Sequence, residues 1–399
     1  MTLEVSRKVK TVKPSITLAI TAKANEMKAK GIDLASFGAG EPDFDTPENI
    51  KQAGIAAIQT GKTKYTACGG LPDLKKAIQQ KFKRDNNLSY ELNQIIVSGG
   101  AKHSLYNVFQ AILNPGDEVI VPAPYWVSYP DMVLLADGKP VIVQTAVENN
   151  FEITVADLEK NITPKTKAIV LNSPSNPTGC IYSRAKLEAI AKYLEDKEIY
   201  VISDDIYEYF LYDGQTFCNV AQLSEKMKAK TIVVNGVSKA YSMTGWRIGY
   251  LAGPAEIVKL IDVVQSQSLS NPTSISQVAS IEALNGDQSA VRKMVAAFDE
   301  RRKFIAAELN KIPGLTCKLP QGAFYVFPNI SQLIGKSYKG QVIKDSVQFA
   351  DLLLSEALVA VIPGSGFGAE GFVRLSYACS MDNIKKGLQR IKEFVGQVK

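Results

Sequence analysis

The middle of the chain alternates between two hydrophobic patterns. Short apolar runs at 94–97, 118–121, 140–143, 168–171, 200–202, 231–234 and 247–251 are mostly continuous, as in strands covered on both faces. Between them, segments such as 183–195 and the stretch after Ala101 carry apolar residues at helical spacing. This alternation predicts an α/β unit: a mainly parallel sheet with helices on both faces. Upstream, Ser15 precedes Ile16, Ala19, Ile20 and Met27, and Gly31 follows Lys30, which predicts a capped N-terminal helix with a glycine stop. Thr46-Pro47 marks another helix start with Gly61 near its end, and 71–82 is amphipathic with Pro72 near its beginning. A long helical stretch, 274–310, leads into shorter strands at 323–327, 358–362 and 373–377 and two helices. The expected organisation is a large domain over 47–309 and a smaller discontinuous α+β domain made of 1–46 and 310–399.

Composition narrows the chemistry. At 399 residues, 46% hydrophobic and 22% charged, the chain has the balance of a globular protein with more than one domain. Its single histidine, His103, excludes any site built on two His ligands. The five cysteines (Cys68, Cys180, Cys218, Cys317, Cys379) are scattered without a Cys-x-x-Cys pair, so neither a disulfide framework nor a metal site is expected. The net charge of +6 is spread among interspersed signs, so nucleic acid is not expected as a partner. No uncharged apolar run reaches the roughly 18 residues of a membrane span, and 1–13 lacks a signal-like apolar core. A cytoplasmic protein without a membrane partner is expected. Any catalysis must lean on Lys, Asp, Tyr or a borrowed cofactor.

Several motifs carry competing readings. Gly61-Lys62-Thr63 and Gly335-Lys336-Ser337 end like a phosphate loop, but the required upstream glycine is Ala56 or Ile330, so both read as turns. Gly364 to Ala369 loosely fits a dinucleotide fingerprint, yet a strand pattern follows where a helix is needed. Ser98-Gly99-Gly100-Ala101 lies between a strand and a helix, where small residues suit either an anion site or a tight turn. His103 in the first turn of that helix reads as a neutral packed histidine. The 172–179 segment, Asn-Ser-Pro-Ser-Asn-Pro-Thr-Gly, reads as a rigid turn at a strand end. Asp204 and Asp205 read as a helix cap, or as a buried carboxylate needing a nearby cation. Lys239 stands in a run with no other charge until Arg247. Desolvation and a neighbouring cation would lower its pKa and supply a neutral amine for Schiff-base chemistry; the alternative is a surface lysine.

These segments together resemble the class I, fold-type I aminotransferases that use pyridoxal phosphate, and among them the bacterial-type aspartate aminotransferases. The likeness runs through Lys13-Pro14-Ser15, Ala39-Gly40-Glu41-Pro42-Asp43-Phe44, Lys64-Tyr65-Thr66, Pro124-Tyr125-Trp126, Asn176-Pro177-Thr178-Gly179, Asp204 to Glu208, Ser238-Lys239 to Arg247 and Val373 to Ala378. The resemblance implies that Lys239 is the Schiff-base lysine and proton shuttle, and that Asp204 pairs with the pyridinium nitrogen. It further implies that Tyr207 and Asn176 bond the ring oxygen and that Trp126 stacks on the ring. The phosphate would lie on Gly100, Ala101, Lys102, Ser238 and Arg247, with Tyr65 from the other subunit of a homodimer. Arg374 would clamp the substrate α-carboxylate, assisted by Gly40 and Asn176. His103 departs from the glutamine frequent at its position. The segment 262–290 holds no arginine for a distal carboxylate, and Lys13 is expected to take that role. The implied reaction is transamination between L-aspartate and 2-oxoglutarate, with prephenate, aromatic amino acids or alanine as alternative substrates. A pyridoxal-phosphate-binding regulator is disfavoured, since no DNA-binding segment is recognised.

Overall fold

The computed structural model describes residues 4–399. Its centre is a seven-stranded sheet in the order Ile95–Ser98, Gly249–Ala252, Thr231–Gly236, Tyr200–Asp204, Thr166–Asn172, Glu118–Ala123 and Lys139–Gln144. Only Gly249–Ala252 runs antiparallel to its neighbours. Successive residues serve opposite faces: Val233 packs towards helices Pro72–Asn86 and Ser274–Asn285, while Ile232 and Val234 pack towards Ala101–Ile112 and Ala255–Ser268. Two covered faces require apolar residues at every position, which is why the runs are continuous. Lys139–Gln144, at the edge, is only partly buried.

From Glu118–Ala123 the chain steps outward to Lys139–Gln144, then crosses back to lay Thr166–Asn172, Tyr200–Asp204 and Thr231–Gly236 on the other side. The carboxyl ends of parallel strands at such a reversal form a crevice, the usual binding place in this architecture.

A three-stranded antiparallel sheet, Ile362–Pro363, Val373–Ser376 and Tyr325–Val326, faces that crevice. Its core also takes Phe298, Ile305 and Leu309 of Ser289–Leu309, Phe349 of Ser346–Glu356 and Ile384 and Leu388 of Met381–Val395. Tyr207 and Phe210, which follow the Tyr200–Asp204 strand, join the same cluster.

Several boundaries differ from the sequence expectation, each for a local reason. The run 358–362 is two strands: Val359–Ala360 pairs in parallel with Ala35–Ser36, whereas Ile362–Pro363 pairs with Val373–Ser376. The run 247–251 starts at Gly249 because Arg247 has φ 57° and ends a short 3-10 turn, Thr244–Trp246. The stretch 274–310 is two helices, Ser274–Asn285 and Ser289–Leu309, interrupted at Gly286-Asp287. The run 323–327 narrows to Tyr325–Val326 after Ala323 at φ 55°. Ser15 stands at the N-cap of Ile16–Ala29, but its hydroxyl bonds Thr17 at 2.8 Å instead of capping a backbone N–H. Among the described residues no helix is long and apolar enough to cross a membrane.

Candidate active site

The crevice opens into a cavity of about 410 Å³. Its floor begins where Ile95–Ser98 meets Ala101–Ile112. Gly100 has φ +100°, and a Cβ there would collide with the Arg247 guanidinium. Gly249 is equally constrained, since its Cβ would strike the Gly100–Ala101 backbone. These glycines let the helix start, Arg247 and the Gly249 strand meet closely. The first-turn N–H groups of Ala101 and Lys102 have no intrahelical acceptor, and the helix dipole favours an anion there. Arg247 is exposed; it donates to the carbonyls of Thr244 at 2.7 Å and Gly99 at 3.4 Å and lines the cavity with Ser238. The anion-site reading of the glycine turn is therefore the better one.

His103 does not reach into the cavity. Its Nδ1 accepts the Gly99 N–H at 3.2 Å, and burial lowers its pKa, as expected of a neutral packed histidine.

On the opposite wall, the side chains of 204–208 divide between the cavity and the space behind the strand ends, with Ile206 on the cavity side. Asp204 and Tyr207 line the cavity. Asp205 instead bonds Ser203 at 2.7 Å and Asn219 behind the strand ends, and burial pushes its carboxyl up to about 8. Glu208 accepts from Asn86 and Asn235, both at 2.7 Å, and pairs with the fully buried Lys81. The rear carboxylates thus pin the loop that presents the front pair.

Asp204 is not a helix cap. Its Oδ2 takes the Tyr129 hydroxyl at 2.6 Å and its Oδ1 the Ile206 N–H at 3.3 Å. Burial still raises it to about 6, leaving a carboxylate that a cation in the cavity would stabilise. Lys239, after Thr231–Gly236, donates its Nζ to the Gly40 carbonyl at 2.5 Å. Burial lowers its pKa to about 8, with Arg374 and Arg247 adding to the shift and Glu41 and Asp204 opposing it.

Arg374 is 2% exposed, yet no carboxylate pairs with it among the described residues. Its nitrogens donate to Gly38 O at 2.8 Å and Asn176 Oδ1 at 3.0 Å, while Nε is buried without an acceptor. Asn176 is itself held by the Asn172 side chain, which accepts its N–H at 2.9 Å. Uncompensated burial of a guanidinium is costly, so this wall is built to receive an anion.

The cavity walls therefore unite Gly40, Ala101, Lys102, Trp126, Asn176, Asp204, Tyr207, Ser238, Lys239, Arg247 and Arg374, with Gly100 directly behind. Two expected residues stand apart. Lys13 is exposed and outside the lining, beside Asp131, and Tyr65 is 91% exposed. Tyr129, Tyr325 and Asn172 are lining residues that sequence reasoning missed. Tyr129 lies three positions after Trp126 and was within reach of a helical-spacing argument; Tyr325 lies in an apolar run with no distinguishing signal.

A sequence model of the family "Aminotransferase class I and II" matches residues 32–391. The chain belongs to that family. It is 55% identical over 390 residues to the aspartate aminotransferase of Bacillus sp. (strain YM-2), covering 98% of each chain. It is 50% identical to the aspartate/prephenate aminotransferase of Nitrosomonas europaea, covering 98% of this aminotransferase and 99% of that one. Among solved structures, the aspartate aminotransferase from Rhizobium meliloti superposes with a TM-score of 0.96 at 46% identity over the whole of both chains. That from Thermus thermophilus with maleate gives 0.93 at 44%, over 98% of this chain and all of the other. Enzymes of this type use pyridoxal phosphate, and the cavity suits it. Helix-start N–H groups and Arg247 match a phosphate, the buried Asp204 a ring nitrogen that carries a proton, and the desolvated Lys239 an aldehyde.

Proposed function

We propose that this aminotransferase interconverts L-aspartate and 2-oxoglutarate with oxaloacetate and L-glutamate, using Lys239 as its catalytic lysine. The observation that carries the reading is Arg374, a buried guanidinium with no carboxylate paired to it among the described residues, in the same cavity as Lys239 and Asp204. An α-carboxylate supplies the missing charge.

Bound pyridoxal phosphate supplies the electron sink that acidifies the substrate Cα–H. Lys239 would hold the cofactor through its amine and would move the proton at the substrate Cα. Asp204 keeps the ring nitrogen protonated, and Tyr129 keeps Asp204 ionised. Tyr207 and Asn176 would hydrogen-bond the ring oxygen, and Trp126 would pack against the ring. Ala101, Lys102, Ser238 and Arg247 hold the phosphate. Arg374, with Asn176 and Gly40, orients the α-carboxylate so that Cα–H faces Lys239.

The exposed Tyr65 belongs to the same proposal. Ile55, Ile58, Leu260, Val263 and Leu269 are exposed apolar residues as well, and a homodimer contact that covers such residues would let Tyr65 reach the partner's phosphate. The proposal also divides the chain into a large unit, 47–309, and a discontinuous one, 1–46 with 310–399, and gives Lys13 the distal carboxylate.

The deciding experiment is a half-reaction. Aspartate added to the purified, cofactor-loaded protein should change its visible absorbance and release oxaloacetate, and 2-oxoglutarate should reverse the change. No response to aspartate while aromatic amino acids or alanine respond would remove aspartate as the donor. Because some relatives are named for prephenate, that acid belongs in the same assay.

A further inference from the structure

Tyr325 joins two parts of the cavity that the proposed reaction uses for different ends. Its hydroxyl hydrogen-bonds that of Tyr207 at 2.8 Å, and its ring lies 4.6 Å from the guanidinium carbon of Arg374. All three side chains are buried. The ring is held in place from several directions. Tyr325 pairs with Ser376 across the antiparallel sheet, and Ser376 is two residues beyond Arg374, so the register fixes one against the other. Tyr207 meets the ring edge-on at 5.7 Å, and Phe324 packs on it at 4.8 Å. Gly40 closes a further side: a Cβ there would stand 3.2 Å from the Tyr325 hydroxyl. Gly40 also offers the carbonyl that receives Lys239.

We propose that Tyr325 is a positioning residue that transmits occupancy of Arg374 by a substrate carboxylate to the hydrogen bond Tyr207 makes to the cofactor ring oxygen. This rests on the reading above, in which Arg374 takes the α-carboxylate and Tyr207 the ring oxygen. An unpaired guanidinium over the ring makes the Tyr325 hydroxyl a stronger donor, and donation from Tyr325 to Tyr207 strengthens the next bond in the chain. A carboxylate arriving on Arg374 cancels most of that field. The bond from Tyr207 weakens, the ring oxygen keeps more negative charge, and the proton on the Lys239 nitrogen is held more tightly. Proton affinity would thereby rise at the step where a substrate amine must give up its own proton.

The groups surrounding this relay are few. Tyr325, Arg374, Asp204 and Lys239 face Tyr207, with Tyr129 beyond Asp204; Arg374 and Tyr207 face Tyr325; and Glu41, Arg374, Arg247 and Asp204 surround Lys239. Of these, Arg374 is the one the α-carboxylate reaches.

The test is a pH titration of the visible absorbance of the pyridoxal-phosphate-loaded protein, with and without saturating maleate, a dicarboxylate that cannot transaminate. In the unaltered protein maleate should raise the midpoint. Tyr325→Phe keeps the ring beside Arg374 and removes the hydroxyl. Its midpoint without maleate should rise by about half to one pH unit, the worth of one neutral hydrogen bond, and the maleate response should shrink by at least half. Tyr325→Leu, which also removes the ring, should weaken maleate binding further than Tyr325→Phe does. A merely structural role would lower the melting temperature and leave the midpoint where it was. A Tyr325→Phe protein with unaltered midpoint and full maleate response overturns the relay, as does an unaltered protein whose midpoint ignores bound maleate. Failure of the underlying reading looks different: Arg374→Lys would leave maleate affinity unchanged, or Lys239→Ala would keep the unaltered visible spectrum.

Discussion

The Tyr129 hydroxyl donates to the Asp204 carboxylate at 2.6 Å, with the Trp126 ring edge-on to Tyr129 at 5.3 Å. Both aromatic residues line the cavity, Trp126 just before the Ser128–Leu135 helix and Tyr129 in its first turn, and Tyr129 also fixes the acid on the cavity wall. Even with that bond, burial holds Asp204 near 6, above its ordinary 3.8. The folded protein without cofactor therefore binds this proton more tightly than the unfolded chain does. Its contribution to stability falls as pH rises from about 4 through 6 and stays lost above.

Asp204→Asn should accordingly make the cofactor-free protein more stable at pH 8, by up to about 3 kcal/mol, with little gain at pH 4. The same substitution should loosen pyridoxal phosphate. Denaturant unfolding at the two pH values, paired with a cofactor titration, checks both halves. Equal stability changes at both pH values would contradict the assigned titration.

Lys239 titrates near 8 because it is buried. The neutral amine is the reacting form, so capture of pyridoxal phosphate by the cofactor-free protein should speed up with rising pH and level off above about 8. Lys239→Ala should lose the borohydride-reducible link to the cofactor and at least about 10³-fold in turnover. Stopped-flow absorbance and peptide mapping after reduction measure the two effects.

Arg374 illustrates a conflict between stability and binding. Arg374→Met replaces an unpaired buried cation with an apolar chain, so the ligand-free protein should melt higher, while kcat/KM for every amino acid should fall by about 10²-fold or more. Arg374→Lys keeps the charge but loses the fork, and should raise KM for all substrates alike. A melting temperature below that of the unaltered protein in Arg374→Met would mean that the cation's own hydrogen bonds outweigh its burial.

Behind the site, Lys81 and Glu208 are paired with Asn86 and Asn235 in a buried cluster. Lys81→Met leaves Glu208 without its counter-charge and should cost about 3–5 kcal/mol by denaturant unfolding. Replacing both residues with apolar ones should cost less than the single change. Cofactor affinity should fall in the single variant, because Glu208 follows Tyr207 directly.

Lys13 supplies a specificity test. Lys13→Ala should raise KM for aspartate and glutamate by about tenfold and leave alanine and phenylalanine nearly unchanged, the signature of one lost charge pair. Steady-state kinetics on the four substrates decide it; equal losses would remove Lys13 from the distal carboxylate.

Much of this was legible in the chain alone. Strands covered on both faces leave continuous apolar runs, so the seven-stranded sheet could be read with boundary errors of a few residues. The errors fell where a special backbone conformation decided the outcome, as at Arg247 and Leu358, both at positive φ. Short range also explains why the glycine turn at Gly100 was recognisable but left with two readings. Whether its glycines serve an anion depends on Arg247, which lies 147 residues further along the chain and meets them only after the sheet forms.

The amino-acid sequence by itself determined the alternation of strands and helices, the exclusion of any site built on two histidines and the placing of Lys239 in a run with no other charge until Arg247. Each of these follows from residue type and near neighbours. Only tertiary structure decided that Asp204 faces the cavity while Asp205 turns away and that Arg374 is buried without a counter-charge. It also decided that Tyr325 touches both Tyr207 and Arg374, because burial and charge pairing arise from contacts between segments far apart along the chain.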